Sequence, residues 1–358
     1  MQLIKTFRFL EAAMATIRDV AKYANVSIST VSLVLNNSQA VKHETKYKVY
    51  EAIKALNYIP NQSARSLVTK HSRVIGVIKG MEHVQNTIYS FEGLVDTYLS
   101  EMLHSIETQI EQNQYSMMID WCFNPEEEAL YVPVMDPSKV DGLLYVGGFL
   151  SDGVAQRILQ TGIPAVLIGS RHEAFDYVDT MPEKGILQAV RYLVECGHRE
   201  IAFINGPEAS HSSGRKLAGF MDAAGEFGLQ IVPEWILKGD YTGRAGYENA
   251  RKLWACAQHP TAIVTAADCV AVGALRFFYE HVVMCPGDIS IIGFEDSILS
   301  EYSVPPLTSV CVRKDILGTE GTKVLINRIA NSKAKHVRLT IEPELICRDS
   351  VAKLQNAP

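Results

Sequence analysis

The chain predicts an all-α helix-turn-helix head joined to an α/β body of two doubly wound parallel-sheet lobes. Three observations carry that prediction. Two helix-period patterns flank a tight turn between Ala15 and Asn37, apolar runs of strand length alternate with amphipathic helices from Arg73 onward, and the charge is unevenly divided. Residues 14–73 hold nine Lys/Arg against three acids, a net +6, whereas residues 74–358 carry −13. A cationic head on an acidic body is the distribution expected when only one module meets a polyanion.

The bulk numbers fit two or three soluble globular domains: 358 residues, 47% hydrophobic and 21% charged. No apolar run approaches a membrane span. Residues 1–13, MQLIKTFRFLEAA, resemble the front of a signal peptide, but Arg8 and Glu11 interrupt the apolar stretch. They are expected to be a disordered or upstream-start extension. The seven cysteines are scattered, without a C-x-x-C pair, and read as free thiols of a reducing cytoplasm. The histidines never pair at metal-ligand spacing on one helical face, so neither metal nor cofactor is expected.

In the head (residues 14–59), ATIRDVAKYA places Ile17, Val20, Ala21 and Ala24 on one helical face. Asn25 follows where the chain must reverse; asparagine tolerates positive φ. Ser27 is then the expected N-cap of a second helix, accepting from the N–H of Ser29 or Thr30. That helix, in VSISTVSLVLNN, has no charged residue. Val31, Val34 and Leu35 turn inward, leaving Ile28, Ser29, Ser32 and Leu33 outside. Small hydroxyls suit base edges and phosphates, and apolar side chains suit thymine methyls. A plain αα-hairpin in a larger helical core is the competing reading of this stretch. A third helix from His43 spaces Val49, Ala52, Ile53 and Leu56 as a core face and ends near Asn57–Tyr58, before Pro60. PNQSARSLVTK, in residues 60–71, suggests a two-turn helix too short to stand alone, and so a candidate switch that forms on a partner.

The segments IRDVAKYANVSISTVSLVLN, ETKYKVYEAIKALNYIPN and ARSL, in this order and spacing, resemble the lactose-repressor (LacI/GalR) family of bacterial transcription regulators. The resemblance implies that the second helix reads the major groove and that the element after Pro60 is a hinge helix. Leu67 would wedge into the minor groove at the operator centre. It further implies phosphate or backbone contacts from Thr16, Ser27, Thr30, Asn36, Tyr58 and Asn61, with Ser32 and Ala64 on the same DNA-facing surfaces. Operator choice would fall to Ile28, Ser29 and Leu33. Asn25 replaces the family's usual turn glycine. Leu33 stands where many members carry a long polar residue, which implies a weak guanine preference there.

In the body (residues 72–350) buried strands are predicted at 73–78, 115–120, 141–148, 164–170, 199–206, 261–266 and 289–294. Helices are predicted near 98–113, 153–161, 185–196, 215–227, 243–257 and 270–281. Continuous rather than alternating hydrophobicity means strands covered on both faces. Two such series imply two lobes with a ligand in the crevice at the carboxyl ends of the strands.

The same family resemblance extends through VDGLLYVGG, GHREIAFING, RKLAGF, GDYTGRAGYENA, VTAADCVAVGALRFFYE, DISIIGFED and PPLTSV. It implies a periplasmic-binding-protein-like body that closes on a small-molecule effector, usually a sugar or nucleobase and here expected to be a mono- or oligosaccharide, and a homodimer or tetramer bound to double-stranded operator DNA. The lobes would be residues 72–174 with 306–334, and 175–305 with 335–350. The crossovers would then lie near Phe175, Pro305 and Lys335. Effector contacts would come from Lys216, in the family's arginine position, the platform Tyr241, Asp268, Glu295 and Asp296. Ala267 replaces an asparagine of the family, and Met181–Pro182 stands in place of its D-N pair. No G-x-S-x-G, G-x-G-x-x-G or H-E-x-x-H motif supports an enzyme. A sugar-binding protein without a DNA role is the alternative, but it would need an export signal and has no use for the cationic head.

Overall fold

The computed structural model describes residues 15–35, 38, 40–58, 71–80, 97–122, 132–147, 150–208 and 210–354. The 1–13 extension, the hinge segment with Asn61, Ala64 and Leu67, and Asn36 lie outside the described residues. The chain divides into two compact units, Met1–Ser72 and Arg73–Pro358.

The first unit holds α1 (Ile17–Tyr23), α2 (Ile28–Leu35) and α3 (His43–Ala55). Thr16 caps α1 through a reciprocal pair. Its backbone N–H donates to Asp19 Oδ2 at 2.8 Å, while Asp19 N–H reaches back to Thr16 Oγ1 at 3.4 Å. Asn25 turns the chain with φ 51°, and Asn57 does the same after α3 with φ 47°. Val20, Val31, Val34, Val49 and Ala52 are fully buried where the three helices meet. The β-branched residues that make α2 a poor isolated helix are thus the ones that hold it in place.

The second unit begins with β1 (Val74–Gly80), α4 (Thr97–Gln112), β2 (Ser116–Cys122), β3 (Gly142–Val146), α5 (Asp152–Thr161), β4 (Ala165–Ile168) and β5 (Asp176–Thr180). Next come α6 (Pro182–Glu195), β6 (Ile201–Ile204), α7 (His211–Phe227), β7 (Ile236–Leu237), α8 (Gly243–Trp254), β8 (Ala262–Thr265), α9 (Asp268–Glu280), β9 (Ser290–Glu295) and α10 (Ile298–Tyr302). The chain ends with β10 (Thr308–Cys311), α11 (Lys314–Ala330), β11 (Arg338–Ile341) and β12 (Glu344–Ile346).

Two six-stranded sheets result, ordered β11-β5-β4-β3-β1-β2 and β12-β10-β9-β8-β6-β7. Every pairing is parallel except β10 with β12. Successive residues of each central strand enter different cores. Ile78, Leu143, Tyr145 and Leu167 fill one side of the first sheet, and Ile75, Val77, Leu144 and Val166 the other. In the second sheet Ile204, Ile263 and Ile291 oppose Phe203, Val264 and Ile292. A strand buried on both faces reads as an unbroken apolar run, which explains the sequence pattern.

The crossovers differ from the expected places. The chain leaves the first sheet after Thr180, returns after Cys311, and leaves again between Ile341 and Glu344. Phe175, Pro305 and Lys335 are therefore each several residues early. β5 and β11 belong to the first sheet and β10 to the second, the reverse of the expected assignment. The carboxylates of β5 hide it as a strand. Asp176, nearly fully buried, is held by Arg328 Nε at 2.7 Å, Arg328 Nη2 at 2.9 Å and the Val337 N–H at 2.6 Å. Burial alone would raise its pKa, but these hydrogen bonds outweigh that and hold it below the usual carboxylate range.

Candidate DNA-reading face and effector cleft

The head presents α2 as a supported face. Ser27 Oγ accepts from the Thr30 N–H at 3.1 Å, satisfying one of the helix's free donors as the sequence predicts. The same hydroxyl bonds those of Ser29 at 2.7 Å and Thr30 at 2.8 Å. Ser29, Ser32, Ile28 and Leu33 are exposed together, opposite buried Val31 and Val34. Thr16 is committed to Asp19, its hydroxyl donating to Oδ2 at 2.7 Å. Tyr58 packs half-buried against the three-helix core. Lys22, Lys42, Lys48 and Lys54 are exposed around this core and Lys46 is half-buried; Lys48 is paired with Glu44 at 2.8 Å.

In the second unit the five expected effector residues gather at the carboxyl ends of the second sheet, but not in equivalent roles. Tyr241 sits at φ 61°, with its backbone carbonyl accepting from Cys269 Sγ at 2.7 Å. Its hydroxyl bonds Ser213 Oγ at 2.6 Å and reaches Ser210 Oγ at 3.4 Å. The ring lies against Gly206, where an added Cβ would come within 2.2 Å of Tyr241 Cζ. Only glycine permits that approach.

Lys216 does not reach outward. It is 4% exposed, donates to the Ala266 carbonyl at 2.7 Å, and sits 4.2 Å from the Phe294 ring centroid and 5.1 Å from that of Tyr241. It braces the platform from behind by hydrogen bonding and cation–π attraction.

Asp268 is likewise internal. It is fully buried and is the first residue of α9, whose N-cap is Ala267. Ser309 Oγ donates to Oδ1 at 2.6 Å, and Ser297 donates to Oδ2 through N–H at 2.6 Å and Oγ at 2.9 Å. Gly293 leaves room for this carboxylate, since a Cβ there would stand 2.2 Å from Oδ1. Burial pushes the Asp268 carboxyl up to about 6, against the lowering effect of those hydrogen bonds.

Glu295 and Asp296 form a turn with φ 103° and 48°. Asp296 Oδ1 pairs with Arg348 at 2.7 Å and accepts from Ser300 at 3.0 Å, and its N–H donates to Ser309 Oγ at 3.1 Å. Ser309 therefore ties Asp268 to the Glu295–Asp296 turn.

Several residues the sequence did not single out complete the cleft. Asp179 Oδ2 accepts from Arg171 Nε at 2.5 Å and from Arg215 Nη1 at 2.7 Å. Arg215 adds Thr180 O at 3.1 Å and Glu183 at 2.8 Å. Asp179 thus stands just ahead of Met181–Pro182, where the sequence suggested that an acidic residue was missing. Glu101 on α4 pairs with nearly buried Lys314 at 2.5 Å and accepts from the Ile298 N–H at 2.9 Å, joining α4 of one lobe to α10 of the other. At the carboxyl ends of β4, β5 and β6, the buried atoms Ser170 Oγ, Thr180 Oγ1 and Asn205 Oδ1 lack protein partners. A cavity of about 570 Å³ between Thr97 and the helices bearing Tyr247, Arg276 and Leu299 meets the expected effector residues only at Tyr241.

A capped three-helix reader and a two-lobed sheet body with its cleft at the strand ends define a ligand-responsive DNA-binding regulator. Residues 16–61 match the model of bacterial regulatory proteins of the lacI family, and residues 190–351 match that of a periplasmic binding protein-like domain. The HTH-type transcriptional repressor PurR of Klebsiella pneumoniae (strain 342) is 34% identical over 344 residues, covering 95% of this chain and 97% of that one. Its counterpart from Salmonella paratyphi B is 33% identical over the same shares. Among solved structures, the lac repressor dimer bound to operator and the anti-inducer ONPF matches at TM-score 0.80 and 26% identity, over 94% of this chain and 99% of that one. The CelR–cellobiose complex matches at TM-score 0.70 and 27% identity, over the same shares. This chain belongs to the lacI family: it is a transcriptional repressor with a helix-turn-helix head and an effector-binding body.

Proposed function

We propose that a homodimer of this chain binds a pseudo-palindromic operator and that a saccharide, mono- or oligomeric, changes that affinity by closing the cleft. The observation that carries the DNA half is α2, an uncharged outward face on a unit rich in exposed lysines. Two such helices about 34 Å apart meet successive turns of one groove. The effector shifts operator affinity by its differential binding to the open and closed states of the body.

The saccharide half rests on Tyr241, an aromatic face fixed against Gly206 by hydroxyl hydrogen bonds, with buried polar atoms of Ser170, Thr180 and Asn205 left without protein partners at the strand ends. The CelR neighbour solved with cellobiose supports the same class. The dimer reading rests on exposed apolar side chains at the end of α9 and around α10: Tyr279, Val282, Met284, Ile298, Tyr302 and Val304. No helix of the described residues is long and apolar enough to cross a membrane, and we place the protein in the cytoplasm with its DNA.

Selection of bound duplexes from a random pool, repeated with a panel of sugars and nucleobases, tests both halves. The expected result is an enriched twofold-symmetric site whose retention one sugar alters. Enrichment of no sequence, or indifference to the whole panel, would refute the proposal. Deleting residues 14–70 separates the units: ligand binding should survive and operator binding should vanish.

A further inference from the structure

The outward face of α2 holds no group able to make a paired hydrogen bond to a base. From Ile28 to Leu35 there is no Arg, Lys, Asn, Gln, Asp or Glu. The two-point contacts to guanine and adenine, and a carboxylate's contact to cytosine, therefore cannot come from this helix; its hydroxyls can make only single contacts. Two of the remaining hydroxyls, those of Ser29 and Thr30, are already turned onto Ser27.

Beside Ser29 and Ser32, what α2 presents is apolar. Ile28 is 44% exposed and Leu33 43%, on the side away from buried Val31 and Val34. The core of this unit does not use them. Their surroundings are cationic, with Lys22, Lys42 and Lys54 exposed on the flanking elements, which suits a phosphate-walled groove. Along the floor of the major groove the apolar group offered by a base edge is a C5 methyl, present on thymine and on 5-methylcytosine.

We propose that Ile28 and Leu33 read C5-methyl groups, so that this head separates thymine from uracil, and methylated from unmethylated cytosine, at fixed half-site positions. The inference rests on the operator-binding reading above and adds the chemistry by which a half-site is chosen. Uracil keeps every hydrogen-bonding group of thymine and lacks only the methyl, so it isolates the contact. Losing one buried methyl weakens binding roughly fourfold, and losing it in both half-sites about sixteenfold.

The test uses the full chain and the duplex that it selects. Thymines are replaced by deoxyuridine one symmetric pair at a time, with affinity followed by fluorescence anisotropy at fixed salt. One or more positions should lose about sixteenfold. At such a position, replacing A·T by G·5-methylcytosine should cost less than replacing it by G·C. Ile28→Ala and Leu33→Ala, both at exposed sites, should keep the thermal transition of the head and erase the thymine-over-uracil ratio, each at its own position. Equal affinity for thymine and uracil at every position overturns the methyl readout, as does a ratio that survives both substitutions or a selected half-site without thymine. In those cases the operator-binding reading stands. If no duplex outcompetes bulk DNA, both fall.

Discussion

Asp179 on β5 of the first lobe and Arg215 on α7 of the second are joined by a 2.7 Å ion pair directly across the first crossover. The carboxylate is 1% exposed and takes Arg171 on the same oxygen, while its other oxygen accepts the Thr180 N–H at 2.8 Å. Two guanidiniums thus share one buried acid at the point where the lobes are stitched together.

Asp179→Asn removes the charge that both arginines answer. Breaking a buried pair and leaving its partners uncompensated costs about 3–5 kcal/mol. The denaturation midpoint of the full chain should fall accordingly. Arg191→Gln, at a surface pair with Glu226 in which both side chains are about half exposed, should change stability by less than about 1 kcal/mol. Equal effects of the two substitutions would remove the clamp's special standing.

The head should be sensitive at its turn. Ser27→Ala deletes the acceptor for the Thr30 N–H and should cost about 1 kcal/mol. Asn25→Ala forces alanine to φ 51° and should cost about 1 kcal/mol, whereas Asn25→Gly should be close to neutral. Thermal melts of the head followed by circular dichroism check both, and a stable Asn25→Ala would contradict the geometry.

Asp268 should give the body a pH signature. Its folded pKa, about 6, lies above the ordinary 3.8, so the folded chain holds this proton more tightly than the unfolded one. Its contribution is fully present below pH 4 and is lost as pH rises through about 6. At face value the change is on the order of 2–3 kcal/mol. Relative to Asp268→Asn, wild-type stability should therefore decline between pH 4 and 6 and level off above. Parallel curves for the two proteins across that range would show that Asp268 does not titrate there.

Tyr241 should carry effector affinity through its ring. Tyr241→Ala removes the platform and should weaken ligand binding at least tenfold, given about 2 kcal/mol or more for a buried aromatic face. Tyr241→Phe loses only the hydroxyl bonds to Ser213 and Ser210 and should cost a few-fold, about 1 kcal/mol. Titration of each variant with the sugar found by selection decides the matter; equal losses would place the ligand elsewhere.

The helix-turn-helix was legible because its signals are local: Asn25 at the reversal, Ser27 three residues before Thr30, and valines at helical spacing all act within one turn of chain. The central strands were legible because burial on two faces leaves no polar gaps. β5 was not, since Asp176 and Asp179 look like loop residues until Arg328 and Arg215 arrive from distant segments and Arg171 folds back from the preceding loop. For the same reason the crossovers were placed early. In the cleft, the sequence could name the five residues that gather at the strand ends, but it could not show that Lys216 and Asp268 point inward. Their direction depends on Ala266, Phe294, Ser297 and Ser309, which come together only when the second sheet forms.

The threefold exchange between sheets has a consequence for how this molecule can be recombined. Each lobe is woven from pieces far apart in the gene, so cutting or swapping at any boundary between residues 181 and 343 splits the strand set of at least one lobe. The head is an uninterrupted run ending before Arg73. Hybrids that trade their DNA address while keeping their chemical sense should therefore be readily obtained from this scaffold. Hybrids that trade half a cleft should not.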